Sequence, residues 1–189
     1  GLTPDTITTK GDYGYYAAFS GASISGEKIY DDLVINPRLI FDTAYAETDL
    51  VCYRAPVPSG LVVMQSRSWQ PLLEWCREAY GAELKVTEGI APVDQDRESL
   101  DRIREALDAQ DAFELAALSV ATAASGSLVI GLALSRGRID AVAAYEASQL
   151  DESYQNTLWG VDEEAQSRRD ILRADLEAAE TFLTLLRAN

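Results

Sequence analysis

Carboxylates are the only side chains in this sequence that are numerous and close enough together to suggest acid–base chemistry. Asp151 stands next to Glu152, and Asp162, Glu163 and Glu164 are consecutive. Neighbouring acids can divide the roles of general acid and base when burial drives their pKa values apart. Each of these groups, however, lies beside an expected helix start or on a polar helical face, where a solvated carboxylate is the ordinary state. The acids at 162–164 load a first helical turn, a position that the helix dipole favours. The 189 residues include no histidine, which removes Ser-His-Asp triads, Cys-His dyads and histidine-based zinc sites. Cys52 and Cys76 form no CxxC pair and read as reduced, partly buried thiols of a reducing compartment. The phosphate-binding, dinucleotide, nucleophile-elbow and zincin motifs are all missing. The expectation is a protein that is not an enzyme, with no catalytic, cofactor-binding or metal-binding residue. A carboxylate-dependent enzyme is the less favoured alternative.

The elements that would position side chains are mostly helices. Residues 1–35 differ from the rest, because "DYGYYAAFSGASISGEKIY" is rich in Tyr, Ser and Gly and reads as short strands joined by glycine turns. Asn36-Pro37 looks like a helix start, with helical spacing through Leu39, Ile40, Thr43 and Ala44 into "YAETDLVCYRAPVP". Leu61, Met64, Gln65, Ser68, Trp69, Leu72, Cys76 and Tyr80 then share one helical face. Pro71 within it predicts a kink or two abutting helices, and Gly81 predicts a C-cap. "AELKVTEG" suggests a strand or an extended link. Asp94 or Asp96 can cap a helix carrying Leu100, Ile103 and Leu107. Asp111 and Glu114 form a capping-box pattern. Asp140 opens a helix expected to run to Trp159-Gly160. A last helix presents Ile171, Leu172, Leu176, Ala179, Phe182, Leu183 and Leu186 as a wide apolar stripe.

The run from Leu115 to Leu134 holds twenty residues without a charge, about the length of a bilayer span. More than half of them are Ala, Ser, Thr or Gly, and the flanking helices are capped and amphipathic. Small residues on every side let neighbouring helices approach closely. The run therefore reads as one central buried helix over 112–135, with no membrane insertion. The fold class expected is α+β: a small β-containing N-terminal part at 1–35 and a predominantly helical, bundle-like domain at 36–189.

Charge bounds the partners. A net charge of −15 argues against nucleic acid and anionic membrane surfaces. It is compatible with a basic protein partner, and it also serves solubility. No signal peptide is recognised in the sequence as it stands.

Several stretches resemble a known family. "YAETDLVCYRAP", "WQPLLEWCREAYGAELKVTEGI", "FELAALS" and "SQLDESYQNTLWGVDEEAQSRRDILRADLEAAETFL" occur in that order from about Asp42 onward. Together they are similar to the ATP synthase alpha-subunit assembly chaperones of mitochondria and bacteria. The resemblance covers roughly three quarters of the chain. It implies a non-enzymatic chaperone that binds the free alpha subunit of F-type ATP synthase and shields its apolar assembly surface until the beta subunit takes its place. The segment between "SGEKIY" and the "ETDL" motif is shorter than the family pattern. Matching motif positions are Asp49, Tyr53, Arg54, Glu152, Gln155, Trp159 and Gly160. These are the candidate partner-binding residues, with Glu152 and Gln155 placed for hydrogen bonds and Trp159 for an aromatic contact. Trp159 beside Gly160 could equally pack a helix end, and Arg54 could pair with a nearby acid. A monomer is expected, in a bacterial cytoplasm or alternatively a mitochondrial matrix. An acidic helical adaptor for another basic protein is the competing reading.

Overall fold

The computed structural model describes residues 44–160 and 163–188, all within one compact unit, Thr43–Asn189. The expected strands of 1–35, and the helix start at Asn36-Pro37, lie outside the described residues. In chain order the elements are α1 (Ala44–Glu47), a 3-10 turn (Leu50–Cys52), β1 (Tyr53–Arg54), α2 (Ser59–Tyr80) and β2 (Thr87–Glu88). There follow α3 (Arg97–Asp108), α4 (Ala112–Ser125), α5 (Leu128–Ser135), α6 (Ala141–Ser148), α7 (Leu150–Trp159) and α8 (Glu163–Arg187). The predominantly helical architecture is as expected. The described β-structure is a two-stranded parallel pair, with Tyr53 opposite Thr87 and Arg54 opposite Glu88.

Local signals account for most helix limits. Asp111 accepts hydrogen bonds from the amides of Phe113 and Glu114, while Glu114 accepts from the amide of Asp111, completing a capping box. Asp140 caps α6 through the amide of Ala143. Gly81 ends α2 at φ 72, a left-handed conformation that glycine adopts without steric cost. Asp96 occupies the position preceding α3, but its carboxylate bonds the Lys85 ammonium at 2.7 Å and makes no cap bond. α2 runs as a single element through Pro71 and not as two abutting helices. Pro71 faces solvent, where water can satisfy the carbonyl that its missing N–H leaves free.

Four expectations need correction. The uncharged run is not one helix over 112–135. α4 ends at Gly126 (φ 68), and Ser127 starts α5 by accepting from the amide of Ile130. Two shorter helices can fold back on each other, and every residue of α5 is buried. The helix opened by Asp140 likewise stops at Gln149, which leaves helical geometry at φ −101, ψ 17. Beside this break the indole of Trp69 donates to the Ala147 carbonyl at 2.8 Å. The first helix does not continue into "VCYRAP": it ends at Glu47, and the chain turns at Leu50–Cys52 into β1. The stripe on α8 is narrower than expected, with Leu176, Ala179 and Leu183 buried but Ile171 and Phe182 exposed. Phe182 instead meets the exposed ring of Phe113 at 6.4 Å. Among the described residues, no helix is long and apolar enough to cross a membrane.

Asp49 joins the start of the chain's described part to the core. Its carboxylate is fully buried and accepts from the Ser127 hydroxyl (2.6 Å), the Val129 amide (3.0 Å) and the Val51 amide (3.1 Å). One side chain thus satisfies the open N-terminus of α5 and the 3-10 turn together. Burial outweighs these hydrogen bonds and pushes the Asp49 pKa up to about 6. Cys52 and Cys76 are buried free thiols, each pushed up to about 12 by the same cause.

Two expected outcomes follow from the packing. A Cβ on Gly131 would lie 2.5 Å from the Thr122 hydroxyl and 3.2 Å from the Thr122 amide nitrogen. Gly131→Ala is expected to lower stability by about 1–3 kcal/mol in urea unfolding, and adding Thr122→Ala is expected to restore only part of it, because the backbone contact stays. The folded protein holds the Asp49 proton more tightly than the unfolded chain does, so its contribution is present below pH 3.8 and is lost as pH rises through about 6. Asp49→Asn sets an amide donor against groups that are themselves donors, at a cost of about 2 kcal/mol. The wild-type advantage over this variant is expected to narrow between pH 4 and pH 7 in denaturant titrations; an advantage that widens would contradict the assignment.

Candidate partner-binding site

The two most specific stretches of sequence, "ETDLVCYRA" and "LDESYQNTLWG", meet through one glutamine. Gln65 faces the core from α2 and is buried. Its side-chain oxygen accepts from the Ala55 amide at 2.8 Å, and its side-chain nitrogen donates to Asp151 at 2.7 Å. Its backbone carbonyl accepts from the Arg54 guanidinium at 2.8 Å. The segment after β1 and the first turn of α7 are therefore fixed to the same residue of α2. Sequence reasoning placed Gln65 on the inner face of α2 but did not identify this junction; a long amide on a mostly apolar helical stripe was the signal that could have found it.

Arg54 is buried and lies over the Trp69 ring, 5.2 Å from its centroid. Burial lowers its pKa, and the nearby Asp151 charge opposes that shift. Trp69 in turn holds the end of α6 through Ala147. On the other flank, Gly60 leaves room for Tyr154 of α7, whose hydroxyl would sit 3.2 Å from any added Cβ. These contacts place α7 firmly against α2.

The candidate residues divide into two groups. Asp49 and Arg54 are turned inward: the Asp49 carboxylate is fully hydrogen-bonded, whereas Arg54 donates through Nη1 to Gln65 and keeps Nε and Nη2 buried without a hydrogen-bond partner. Their burial means that matching the motif does not distinguish an exposed group from a buried one. Tyr53 is half-buried in β1. Glu152 and Gln155 are exposed on α7, and Trp159 is 85% exposed at its end. Their spacing sets all three on the helix face opposite Leu150, which is buried. Gly160 (φ 90) ends the helix immediately beyond the tryptophan, whose exposure shows that it is not packed against the helix end. The adjacent acids diverge, Asp151 toward Gln65 and Glu152 toward solvent. They do not form a converging carboxylate pair. Among the described residues, no group of three His, Cys, Asp or Glu side chains is placed to hold a metal ion.

An open groove of about 620 Å³ lies between α2, α6 and α7, lined from α7 by Leu150 and Ser153. Sequence reasoning did not identify it, because its walls come from helices separated by more than sixty residues. Arg169 of α8 closes one end by donating to the Ser153 hydroxyl at 2.8 Å and the Tyr145 hydroxyl at 3.2 Å.

No protein-family model matches the chain. It is 25% identical over 127 residues to the protein atp12, mitochondrial, of Schizosaccharomyces pombe, an alignment covering 64% of this chain and 44% of that protein. The chain thus spans less than half the length of this relative. The crystal structure of Atp12 from Paracoccus denitrificans matches with a TM-score of 0.75 at 37% identity, over 84% of this chain and 67% of that one. A point variant of the same bacterial protein matches at 0.76 with 33% identity, over 88% and 77% respectively. The Atu1473 protein of Agrobacterium tumefaciens, described as a candidate chaperone, matches at 0.69 with 30% identity, over 89% and 59%. A shared helical fold and identity above 30% across two thirds or more of the Paracoccus chains agree with the motifs in "ETDLVCYRA" and "LDESYQNTLWG": the chain belongs to the Atp12 family.

Proposed function

We propose that the protein is a chaperone for assembly of the catalytic head of F-type ATP synthase. It binds the free alpha subunit and covers its apolar assembly surface until the beta subunit replaces it. The observation that carries this reading is the outer face of α7. Trp159, 85% exposed, stands in line with Glu152 and Gln155 on a helix locked to the core through Asp151. A rigid helix that presents an exposed aromatic beside hydrogen-bonding groups has the composition of a binding hot spot. The family membership supports assembly of ATP synthase as the process served. The net charge of −15 suits a basic region on the partner and raises the rate of encounter with it. The protein acts as a monomer in a bacterial cytoplasm or a mitochondrial matrix, and binding requires no chemical step.

Purified alpha subunit provides the test. Wild-type protein at a stoichiometric ratio is expected to suppress its aggregation, followed by turbidity, and added beta subunit is expected to release the complex. Trp159→Ala and Glu152→Lys are expected to weaken binding about 30-fold each, corresponding to ~2 kcal/mol, with thermal melting unchanged because both side chains are solvent-facing. If turbidity is the same with this protein as with an inert acidic control, the chaperone reading fails. Recovery of a different basic protein and not the alpha subunit would favour the acidic adaptor.

A further inference from the structure

Asp151 of α7 meets Gln65 of α2, and Tyr154 lies against Gly60, so the two helices are antiparallel. The end of α7 therefore lies on the side where α2 begins. Leu158 stands seven residues after Asp151 and four after Tyr154, which puts it on the same helical stripe. α2 starts only at Ser59, and Leu158 is left 63% exposed. The packing stripe of α7 thus continues beyond the helix it packs on. The segment that precedes α2 arrives on the same side, because the Gln65 side chain that holds Asp151 also holds the Ala55 amide. Val57, two residues after Ala55, is 73% exposed. Exposed Trp159 follows Leu158 directly. Charge is missing from both contributors: residues 55–66 and 153–161 hold no Asp, Glu, Lys or Arg, in a chain where 25% of residues are charged. The charges that bound these stretches in sequence are Arg54, which is buried, Arg67, Glu152 and Asp162.

We propose that the start of α2 and the end of α7 form one uncharged apolar platform, which receives an uncharged, apolar segment of the alpha subunit. The inference rests on the chaperone reading above and deepens it by naming the chemistry of the segment bound. The missing charge selects the occupant. A charged segment would lose its hydration against Val57 and Leu158 and meet no counter-ion there. A second copy of this chain would bring another net charge of −15, and the repulsion between the copies opposes it. Interfaces between proteins are depleted of charge at the centre and polar at the rim. The platform repeats that pattern, with Leu158 and Val57 uncharged and Glu152 two turns back along α7. Trp159 joins the platform to the outer face of α7, so one bound segment can touch both. Burial on the platform supplies affinity, and Glu152 and Gln155 fix the orientation.

The experiment measures the affinity of purified alpha subunit by calorimetry for the wild type, Leu158→Glu, Leu158→Arg, Val57→Glu and Val120→Glu, with a melting curve for each. Both Leu158 variants and Val57→Glu are expected to weaken binding by about tenfold or more, whichever the sign of the charge introduced. Their melting is expected to be unchanged, because these side chains are exposed. Val120→Glu, also at an exposed position but on α4, is expected to bind as the wild type does. If either Leu158 variant binds as tightly as the wild type, the bound segment carries the opposite charge and the proposal is overturned. Variants that melt earlier would show that the platform is covered within the chain, and a wild-type dimer that Leu158→Glu dissolves would assign it to a second copy; each result overturns the proposal. If all three platform variants bind like the wild type while Trp159→Ala binds weakly, the platform is overturned and the chaperone reading stands. If the wild type itself does not bind alpha, the chaperone reading fails and the platform proposal falls with it.

Discussion

The bonds made by Gln65 are the constraint on which the rest of the arrangement depends. One buried residue accepts a charged hydrogen bond from Arg54, accepts the Ala55 amide and donates to Asp151. These partners come from the β1 segment and from α7, which are distant in sequence and share few other polar contacts. Removing the amide leaves the part-buried Ala55 donor and Asp151 carboxylate without this partner. α7 thus takes its position from α2, and the direction of Glu152, Gln155 and Trp159 follows from helix geometry. The groove depends on the same fixation, because two of its walls are the helices that Gln65 connects.

The small-residue run serves that fixation from below. Gly126 and Ser127 turn an uncharged stretch into two short helices, and Gly131 lets α5 approach the Thr122 backbone closely enough to bury α5 completely. Asp49 then closes the exposed start of α5 from another part of the chain. A buried ionisable group is a costly way to cap a helix, as its raised pKa records. It does, however, tie the "ETDL" segment to the core at a single point. α5 supports α2 and α6 directly, so the apolar run holds the walls of the groove and leaves contact with a partner to α7.

Much of this was legible in the residues. The capping box at Asp111 and Glu114, the cap at Asp140 and the glycine at 81 are short-range devices, and each appears where its pattern lies. Most of the core face of α2 followed from helical spacing, although Met64, read onto that face, is exposed and Leu73, read off it, is buried. The breaks at Gly126 and Gln149 did not, for separate reasons. Glycine and serine are tolerated inside a small-residue helix, so only the burial demands of the folded pair show that the chain turns there. At Gln149 the backbone leaves helical geometry with no glycine or proline to mark it, and the bond beside the break comes from Trp69, eighty residues earlier in the chain. Asp49 and Arg54 show the limit most clearly. Their motif marks them as important, yet the reason is a buried hydrogen-bond network whose partners, Ser127 and Gln65, no local pattern links to them. The stripe on α8 was read too wide because Ile171 and Phe182 fit its period but face solvent.

The central claim is that the alpha subunit docks on α7 and the adjoining start of α2. Hydrogen–deuterium exchange of this protein, alone and with one equivalent of purified alpha subunit, tests it most directly. The account predicts added protection in α7 and in the first half of α2, with little change in α3. Alpha binding that protects α3 and leaves α7 and the first half of α2 exchanging as in the free protein would contradict it.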